Sequence, residues 1–268
     1  SVPLPAFKNF YLMIIDTHTH LYVEEFDTDY KEVIQRAIDY GVEKFFLPAI
    51  DSSYTDRMLR LQKEYPEHVY LMNGLHPCSV KENWQEEIAK VNALVSAHPK
   101  DFYAIGEIGI DLYWDKTFLE AQKEAFALQI RLAKEYHLPI VIHCREAFEE
   151  TFEVLEKEKS NDLFGIFHCF TGNKEQALRA ISFGLKLGIG GVVTFKNGKI
   201  DTFLNEIPLE HLVLETDAPY LAPVPFRGKR NESSYLIYIV KKLAEIYNIS
   251  ENEIIKRTTN NALEIFKP

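Results

Sequence analysis

Leu138-Pro139-Ile140-Val141-Ile142-His143-Cys144-Arg145 is the stretch that decides how this chain folds. It is a short apolar run behind a proline, and it ends abruptly in polar residues. A run of this length bounded by turn signals reads as a strand buried on both faces, which suits a parallel sheet covered by helices. Similar runs, each closing on a polar residue, recur along the chain. Desolvating an unpaired polar group costs roughly 1 to 3 kcal/mol, so several of them gathered at one end of a sheet imply a site. Their types, imidazole and carboxylate, are those of divalent-metal ligands.

Working outward, strands are expected at 13–17, 42–49, 69–75 and 102–105, then in the run ending at His143, and at 163–167, 185–189 and 212–215. Helices are expected at 29–40, stopped by Gly41, and at 54–64, 84–97, 118–136, 147–158 and 174–183, with a short one near 199–205. A closing helix begins at Ser250, where Ser250 and Glu253 stand at capping-box spacing. Strands alternating with helices in this way are the α/β pattern of a (β/α)8 TIM barrel. Its sites lie at the C-terminal ends of the strands. We read 13–268 as one such domain with an extra C-terminal helix. The first twelve residues, with prolines at 3 and 5, read as a leader or an added remnant outside the fold, Met13 standing as the natural start.

A barrel of this kind fits 268 residues in a single domain. Core material is ample, with 46% hydrophobic residues, 18 Phe and 14 Tyr. No stretch approaches the 18 or so apolar residues of a membrane helix, and the N-terminus lacks the pattern of a secretory signal. Three cysteines, an odd number, point to a reducing compartment and so to the cytoplasm. With 30 basic against 40 acidic residues the net charge is −10. That excludes non-specific gripping of long duplex DNA through many phosphates, but leaves room for a local phosphate site.

His18 and His20 are two apart on an extended segment, so both side chains point to one side and can share an ion. Glu107, His143, His168 and Asp217 each stand where a different strand runs out. The other histidines at 68, 98, 137 and 211 lie in or beside helices and read as surface residues, whereas His76, at the end of the third strand, reads as a substrate contact. Arg145 and the cluster Arg227, Lys229 and Arg230 are candidate phosphate binders, since arginine can fork onto phosphate oxygens. Tyr113, Trp114, Phe170 and Tyr220 are candidates to stack on bases. Cys78, Cys144 and Cys169 directly follow site positions and read as small buried thiols, period-two alternation turning at least the last two away from the metals. The turn Gly188-Ile189-Gly190-Gly191 is not a dinucleotide fingerprint, and the sequence carries neither a Walker loop nor a nucleophile elbow, so no nucleotide cofactor is expected.

From Met13 nearly to its end, the chain resembles a known family. Asp16-Thr17-His18-Thr19-His20, Gly106-Glu107-Ile108-Gly109-Ile110-Asp111, Ile142-His143-Cys144-Arg145, Phe167-His168-Cys169-Phe170-Thr171-Gly172 and Glu215-Thr216-Asp217-Ala218-Pro219-Tyr220 look like signatures of the TatD family of metal-dependent deoxyribonucleases, in the amidohydrolase-like barrel class. The last signature continues through Leu221-Ala222-Pro223-Val224-Pro225-Phe226-Arg227-Gly228-Lys229-Arg230-Asn231-Glu232. Ser233 departs from it where proline is expected, which loosens a helix start. The resemblance implies that His18, His20 and Asp217 hold one divalent ion, His143 and His168 a second, and that Glu107 bridges them. It also implies dependence on magnesium or manganese, although imidazole ligands by themselves suit zinc, manganese, iron or nickel better.

Two divalent ions against Glu107 and Asp217 leave a local charge of roughly +2 in a protein of net charge −10, which is a focused anion trap. Such ions lower the pKa of bound water toward about 7 and stabilise attacking and leaving oxygens. Glu107 and Asp217 are the candidate catalytic carboxylates, with Asp217 either orienting and deprotonating the water or serving only as a ligand. The function expected is hydrolysis of phosphodiesters at nucleic-acid ends, single-stranded DNA first, in the 3′ to 5′ direction by resemblance. The rivals are an amide or ester hydrolase or deaminase, and a binding or scaffold protein that kept the barrel. Glu107 stands where many such hydrolases carry a carboxylated lysine, and all six ligand positions are filled, which weighs against each rival in turn.

Overall fold

The structure, a computed structural model, describes residues 12–268. The reading of the first twelve residues therefore lies, for 1–11, outside the described residues. Eight parallel strands run in sequence order around the sheet. They are β1 (Ile14–Asp16), β2 (Val42–Leu47), β3 (Val69–Asn73), β4 (Phe102–Asp111), β5 (Ile140–Arg145), β6 (Gly165–Phe167), β7 (Leu185–Ile189) and β8 (Leu212–Leu214). Each pairs with the next, from β1 with β2 to β7 with β8. The seam between β8 and β1 is bridged where the Thr17 backbone N–H and hydroxyl both donate to the Leu214 carbonyl, at 3.1 and 2.8 Å. The result is a nearly closed TIM barrel.

Helices α1 (Tyr30–Asp39), α2 (Thr55–Glu64), α3 (Trp84–Ala97), α4 (Leu119–Glu135), α5 (Phe148–Lys157) and α6 (Lys174–Ser182) follow the first six strands in turn. Side chains alternate along the strands, so each strand feeds two cores. Ile15, Phe46, Met72, Ala104, Val141, Ile166 and Val213, one from each of seven strands, cluster inside the barrel. Their strand neighbours, such as Ile14, Phe45, Leu71 and Ile142, pack outward in the larger core.

Two connections differ from the sequence reading. The short helix expected near 199–205 is a pair of three-ten turns, Ile200–Thr202 and Leu204–Glu206. Here the Thr202 hydroxyl donates back to the Lys199 carbonyl at 2.6 Å, and Pro208 bars a longer helix. A helix whose extent was not read, α7 (Leu236–Tyr247), follows β8 just after the helix start placed at Ser233. Its start, Leu236-Ile237-Tyr238-Ile239-Val240, has strand-like propensity, which burial of Leu236, Ile237, Ile239, Val240 and Leu243 overrides. The expected closing helix is α8 (Glu251–Phe266), capped by the Ser250 hydroxyl accepting from the Glu253 N–H. It inserts Ala262, Ile265 and Phe266 into the inner core, with Phe266 stacked on Phe46 at 3.9 Å between ring centroids. Thr259 bonds to the Met13 carbonyl and Asn261 to those of Leu209 and Leu212, so α8 seals the end of the barrel where the strands begin. The opposite end is left for chemistry. No helix among the described residues is long and apolar enough to cross a membrane.

Strand four continues to Asp111, past the expected end at Ile105, and Gly106 and Gly109 within it mark close approach. A Cβ on Gly109 would lie 1.9 Å from the His143 carbonyl oxygen, and this residue's φ of +142° favours glycine. The register shifts between Gly106 and Ile108, so β4 bulges where Glu107 must point inward.

Candidate metal centre

The six residues singled out at strand ends meet at one place. The segment carrying His18 and His20 is sewn between its neighbours: Thr19 N–H donates to the Phe46 carbonyl, His20 N–H to that of Ala218, and Asp217 N–H to that of His18. Beneath it, the buried Asp16 carboxylate accepts from Thr216 N–H (3.0 Å), the Thr216 hydroxyl (2.6 Å), the Ser233 hydroxyl (2.7 Å) and His18 N–H (3.3 Å). Ser233 thus touches no ligand itself, but its hydroxyl helps staple the end of β1 to the end of β8. Proline could not do this.

Glu107, 2% exposed, sits at the centre with its two oxygens facing different partners. Oε2 lies 3.1 Å from His18 Nε2 and 3.6 Å from His20 Nε2. Oε1 lies 2.9 Å from His143 Nδ1 and 3.4 Å from both His76 Nε2 and His168 Nε2. Asp217 Oδ1 is 3.3, 3.5 and 3.9 Å from the Nε2 atoms of His20, His18 and His168. Burial opposes charge on Glu107, yet the imidazoles around it hold it well below the usual carboxylate range. Burial likewise disfavours protonated His143 and His168, but the facing carboxylates win and raise them to about 8 and about 10. His18 and His168 stack face to face, 3.4 Å between centroids and 7° from parallel. His18 Nδ1 is buried without a partner. Five imidazoles converging on one carboxylate have more nitrogens than it has lone pairs to offer. Cations in place of those protons satisfy such a donor set, and three overlapping sets are close enough to hold one: His18, His20, Asp217; His18, Glu107, His168; and His76, Glu107, His143.

The family described as TatD related DNase matches residues 15–267. The chain belongs to the TatD family of metal-dependent hydrolases.

A Bacillus subtilis relative, uncharacterized metal-dependent hydrolase YabD, is 43% identical over 256 residues, covering 95% of this chain and 99% of its own. A Yersinia pseudotuberculosis relative, named 3′-5′ ssDNA/RNA exonuclease TatD, is 31% identical over 261 residues, with coverage of 95% and 99%. The crystal structure of YjjV, a TatD homologue from Escherichia coli, superposes with a TM-score of 0.89 at 30% identity, over 95% of this chain and 98% of that one.

In this TatD-family chain the partners of four of the five rings, those of His20, His143, His168 and His76, decide which nitrogen faces the centre. Tyr22 donates its hydroxyl proton to the Pro48 carbonyl, so at 3.0 Å it accepts from His20 Nδ1–H, leaving the His20 Nε2 lone pair aimed at Asp217 and Glu107. His143 Nε2 pairs with Asp111 Oδ2 at 2.7 Å, which leaves Nδ1 for the centre. His168 Nδ1 lies 2.9 Å from Glu215 Oε1, close but not aligned as a hydrogen bond, and its Nε2 faces the centre. His76 is different. Its Nδ1 accepts from Cys78 N–H at 2.9 Å, so in the neutral ring the proton is on Nε2. His76 therefore offers the centre a donor where His20, and His143 and His168 once deprotonated, offer lone pairs, despite lying within reach of Glu107 and His143. Asp111, Glu215 and Tyr22 were not read as site residues. Asp111 and Glu215 lie inside the quoted signatures, which was a usable signal, but nothing around Tyr22 in the sequence marks it.

Above the centre opens a cavity of about 550 Å³ whose wall includes His20, His76, Glu107, His143, His168, Asp217, Trp114, Arg145, Tyr220 and Leu221. Of the candidate phosphate binders, only Arg145 is on that wall. Arg230 forks onto Asp29 at 2.6 and 2.9 Å over the ring of Phe26, and Arg227 bonds Asn197 and lies over Phe195, so both brace the loop after β8, and Lys229 is exposed on it. Phe170, 2% exposed, packs in the outer core and offers no stacking face. Of the remaining histidines, His98 and His137 are exposed and His68 and His211 half-buried.

The thiols correct the sequence reading. All three are half-buried and contribute to the cavity wall. Cys144 does turn to Thr151 of α5, as alternation requires. Cys169 has a φ of +45°, past the end of β6, where strand alternation no longer applies. Burial raises Cys78 to about 12 and Cys144 to about 11, so both stay neutral thiols.

Proposed function

We propose that this chain hydrolyses phosphodiester bonds at the ends of nucleic-acid strands, single-stranded DNA first and in the 3′ to 5′ direction. The observation that carries the reading is a carboxylate, Glu107, whose two oxygens face different imidazoles, Oε2 toward His18 and His20 and Oε1 toward His143 and His168, beneath a cavity whose wall holds an arginine with no ion pair or side-chain hydrogen bond among the described residues. The Yersinia relative's name supports the same substrate class. In this reading His18, His20 and Asp217 hold one ion, His143 and His168 the second, and Glu107 both. Divalent ions there, whether magnesium, manganese or zinc, would supply Lewis acidity toward water and phosphate oxygens.

The chain's own groups do the rest. Asp217, whose side chain is 14% exposed against 3% for Glu107, is the carboxylate that incoming water reaches, and it takes that water's proton. His76 donates its Nε2–H to a phosphate oxygen, and Arg145 binds the backbone at the mouth. Arg227, Lys229 and Arg230, on the loop after β8 and off the cavity wall, would meet only a strand longer than the cavity. The test is hydrolysis by chain reloaded separately with magnesium, manganese and zinc, offered 3′-labelled single-stranded DNA, a dinucleoside phosphate and a panel of amides. Release of 3′ mononucleotides is expected. Turnover of amides alone would replace this reading with the amidohydrolase one, and no turnover of any substrate would leave a binding protein.

A further inference from the structure

Eight large apolar side chains are exposed among the described residues, and their distribution is uneven. Leu59, Leu128 and Leu178 are scattered on helix surfaces, whereas Tyr113, Trp114, Tyr220, Leu221 and Val224 crowd the loops after β4 and β8. Trp114, Tyr220 and Leu221 of this second group line the cavity. Isolated surface leucines are ordinary, but an indole 71% exposed at the rim of the cavity above the metal centre marks a contact surface.

The shelf carrying that indole is built in place. Tyr113 and Trp114 meet edge to face, 4.7 Å between centroids at 87°, which orients the indole while it stays 71% exposed. The Arg145 guanidinium lies 3.6 Å from the Tyr113 ring centroid and 5.5 Å from that of Trp114. Its side chain has no ion pair or hydrogen bond among the described residues, so the aromatic pair holds a cation whose donors are free. The turn is tied at both ends. Asp111 Oδ1 accepts from Tyr113 N–H at 3.0 Å, and Asp115 accepts from Thr117 N–H at 2.8 Å and pairs with Lys81 at 3.2 Å. Asp111 also holds His143 through its other oxygen. One carboxylate thus links the shelf to the metal centre, and a group bound on Trp114 has a fixed relation to the chemistry. Across the mouth, Leu221 adopts a φ of +57° while 40% exposed, a conformation costing a non-glycine residue about 1 to 2 kcal/mol. Asn231 holds that turn through the Thr216 and Tyr220 carbonyls.

We infer that Trp114 is the base platform of this site: the nucleobase next to the cleaved bond stacks on the exposed indole face, and Arg145, held flat on Tyr113, takes the adjoining phosphate. A planar ring and an anion one nucleotide apart are what an apolar face beside a free guanidinium complements. A duplex hides its base faces in its own stack, so the platform selects unpaired ends. This rests on the phosphodiesterase reading and adds the residue that recognises the base.

The experiment uses the full metal-loaded chain with phosphorothioate-linked oligonucleotides, so that binding is read without hydrolysis. Trp84 is 8% exposed and Trp114 71%, so a ligand that quenches indole fluorescence by contact reaches Trp114 alone, and partial quenching by the trinucleotide (dA)3 is expected. Dissociation constants, from anisotropy of a 5′-labelled (dA)3 and of the same trinucleotide with its 3′ base removed, are then measured for wild type and Trp114→Ala. Stacking of about 1 to 3 kcal/mol per base corresponds to a loss of roughly 5- to 150-fold for Trp114→Ala on the intact oligonucleotide, and less than twofold on the abasic one. Trp114→Phe should recover most of the loss. Equal losses on both oligonucleotides, or no quenching, overturn the platform. Hydrolysis of DNA by the metal-loaded chain is measured alongside. Hydrolysis without coupling to the base refutes the platform alone, and base coupling without hydrolysis refutes the phosphodiesterase reading alone.

Discussion

A methyl group placed on β7, on a residue that touches no metal, should weaken metal binding. A Cβ at Gly188 would lie 2.3 Å from Glu215 Oε2 and 3.3 Å from the His168 Cα. Ordinary contact is about 3.5 Å, so the carboxylate must retreat by about 1 Å. Glu215 is 1% exposed and has nowhere easy to go. Its other oxygen accepts from Cys169 N–H at 2.7 Å and lies 2.9 Å from His168 Nδ1, and both contacts move with it. Overpacking of this kind costs about 1 to 3 kcal/mol of stability, and disturbing the partner behind a metal-bound imidazole typically costs 10- to 100-fold in affinity. Gly188→Ala is therefore expected to lower the urea midpoint and to raise the dissociation constant of one of two ions by about one to two orders of magnitude, read by competition against a chromophoric chelator. Gly190→Ala is the control. Its Cβ would stand 3.3 Å from the Glu215 carbonyl oxygen and no closer than 3.7 Å to a carboxylate oxygen, so affinity should stay within about twofold. If Gly188→Ala binds both ions as wild type does, Glu215 does not position His168, and the account of that imidazole is wrong.

Other expectations follow from the same geometry. Chelator-stripped, reloaded chain should hold about two divalent ions, and Glu107→Gln should hold fewer and lose activity while keeping its circular dichroism, because the barrel core does not use this carboxylate; unchanged turnover removes the shared-carboxylate assignment. In the metal-free chain, His143 and His168 are raised from 6.5 to about 8 and about 10. The stability they contribute is full below pH 6.5 and is lost as pH rises through those values, about 2 kcal/mol for His143 alone. Metal-loaded chain, whose imidazoles are already deprotonated ligands, should lack this fall, and identical urea midpoints with and without metal at pH 6 and pH 9 would contradict it. Arg145→Ala should weaken oligonucleotide binding and reduce the slope of log affinity against log salt by about 0.7. Arg230→Ala should leave that affinity alone and cost up to about 1 kcal/mol of stability through the lost Asp29 pair; a reversed pattern would place the phosphate site on the loop after β8.

The contrast between Arg145 and Arg230 also locates what the sequence could and could not reveal. Strand ends were legible because burial on both faces forces apolar runs, and a histidine or carboxylate closing such a run is conspicuous against them. The extent of helix α7 was hidden because strand-like residues met a helical environment whose packing outweighs propensity. Among site residues, the six metal-type positions stood at the strand ends, but their division of labour depends on which nitrogen each ring turns inward, and that is set by Tyr22, Cys78 N–H, Asp111 and Glu215. These partners act through contacts between residues distant along the chain or through a backbone N–H, neither of which leaves a mark in composition or spacing. His76 illustrates the consequence. By distance alone it belongs with Glu107 and His143 as a ligand, yet one backbone N–H donated to its Nδ1 puts its proton on the nitrogen facing the centre. A donor at that position repels a cation and attracts an anionic oxygen, so one hydrogen bond sets this imidazole apart from the other histidines of the centre and turns it toward substrate.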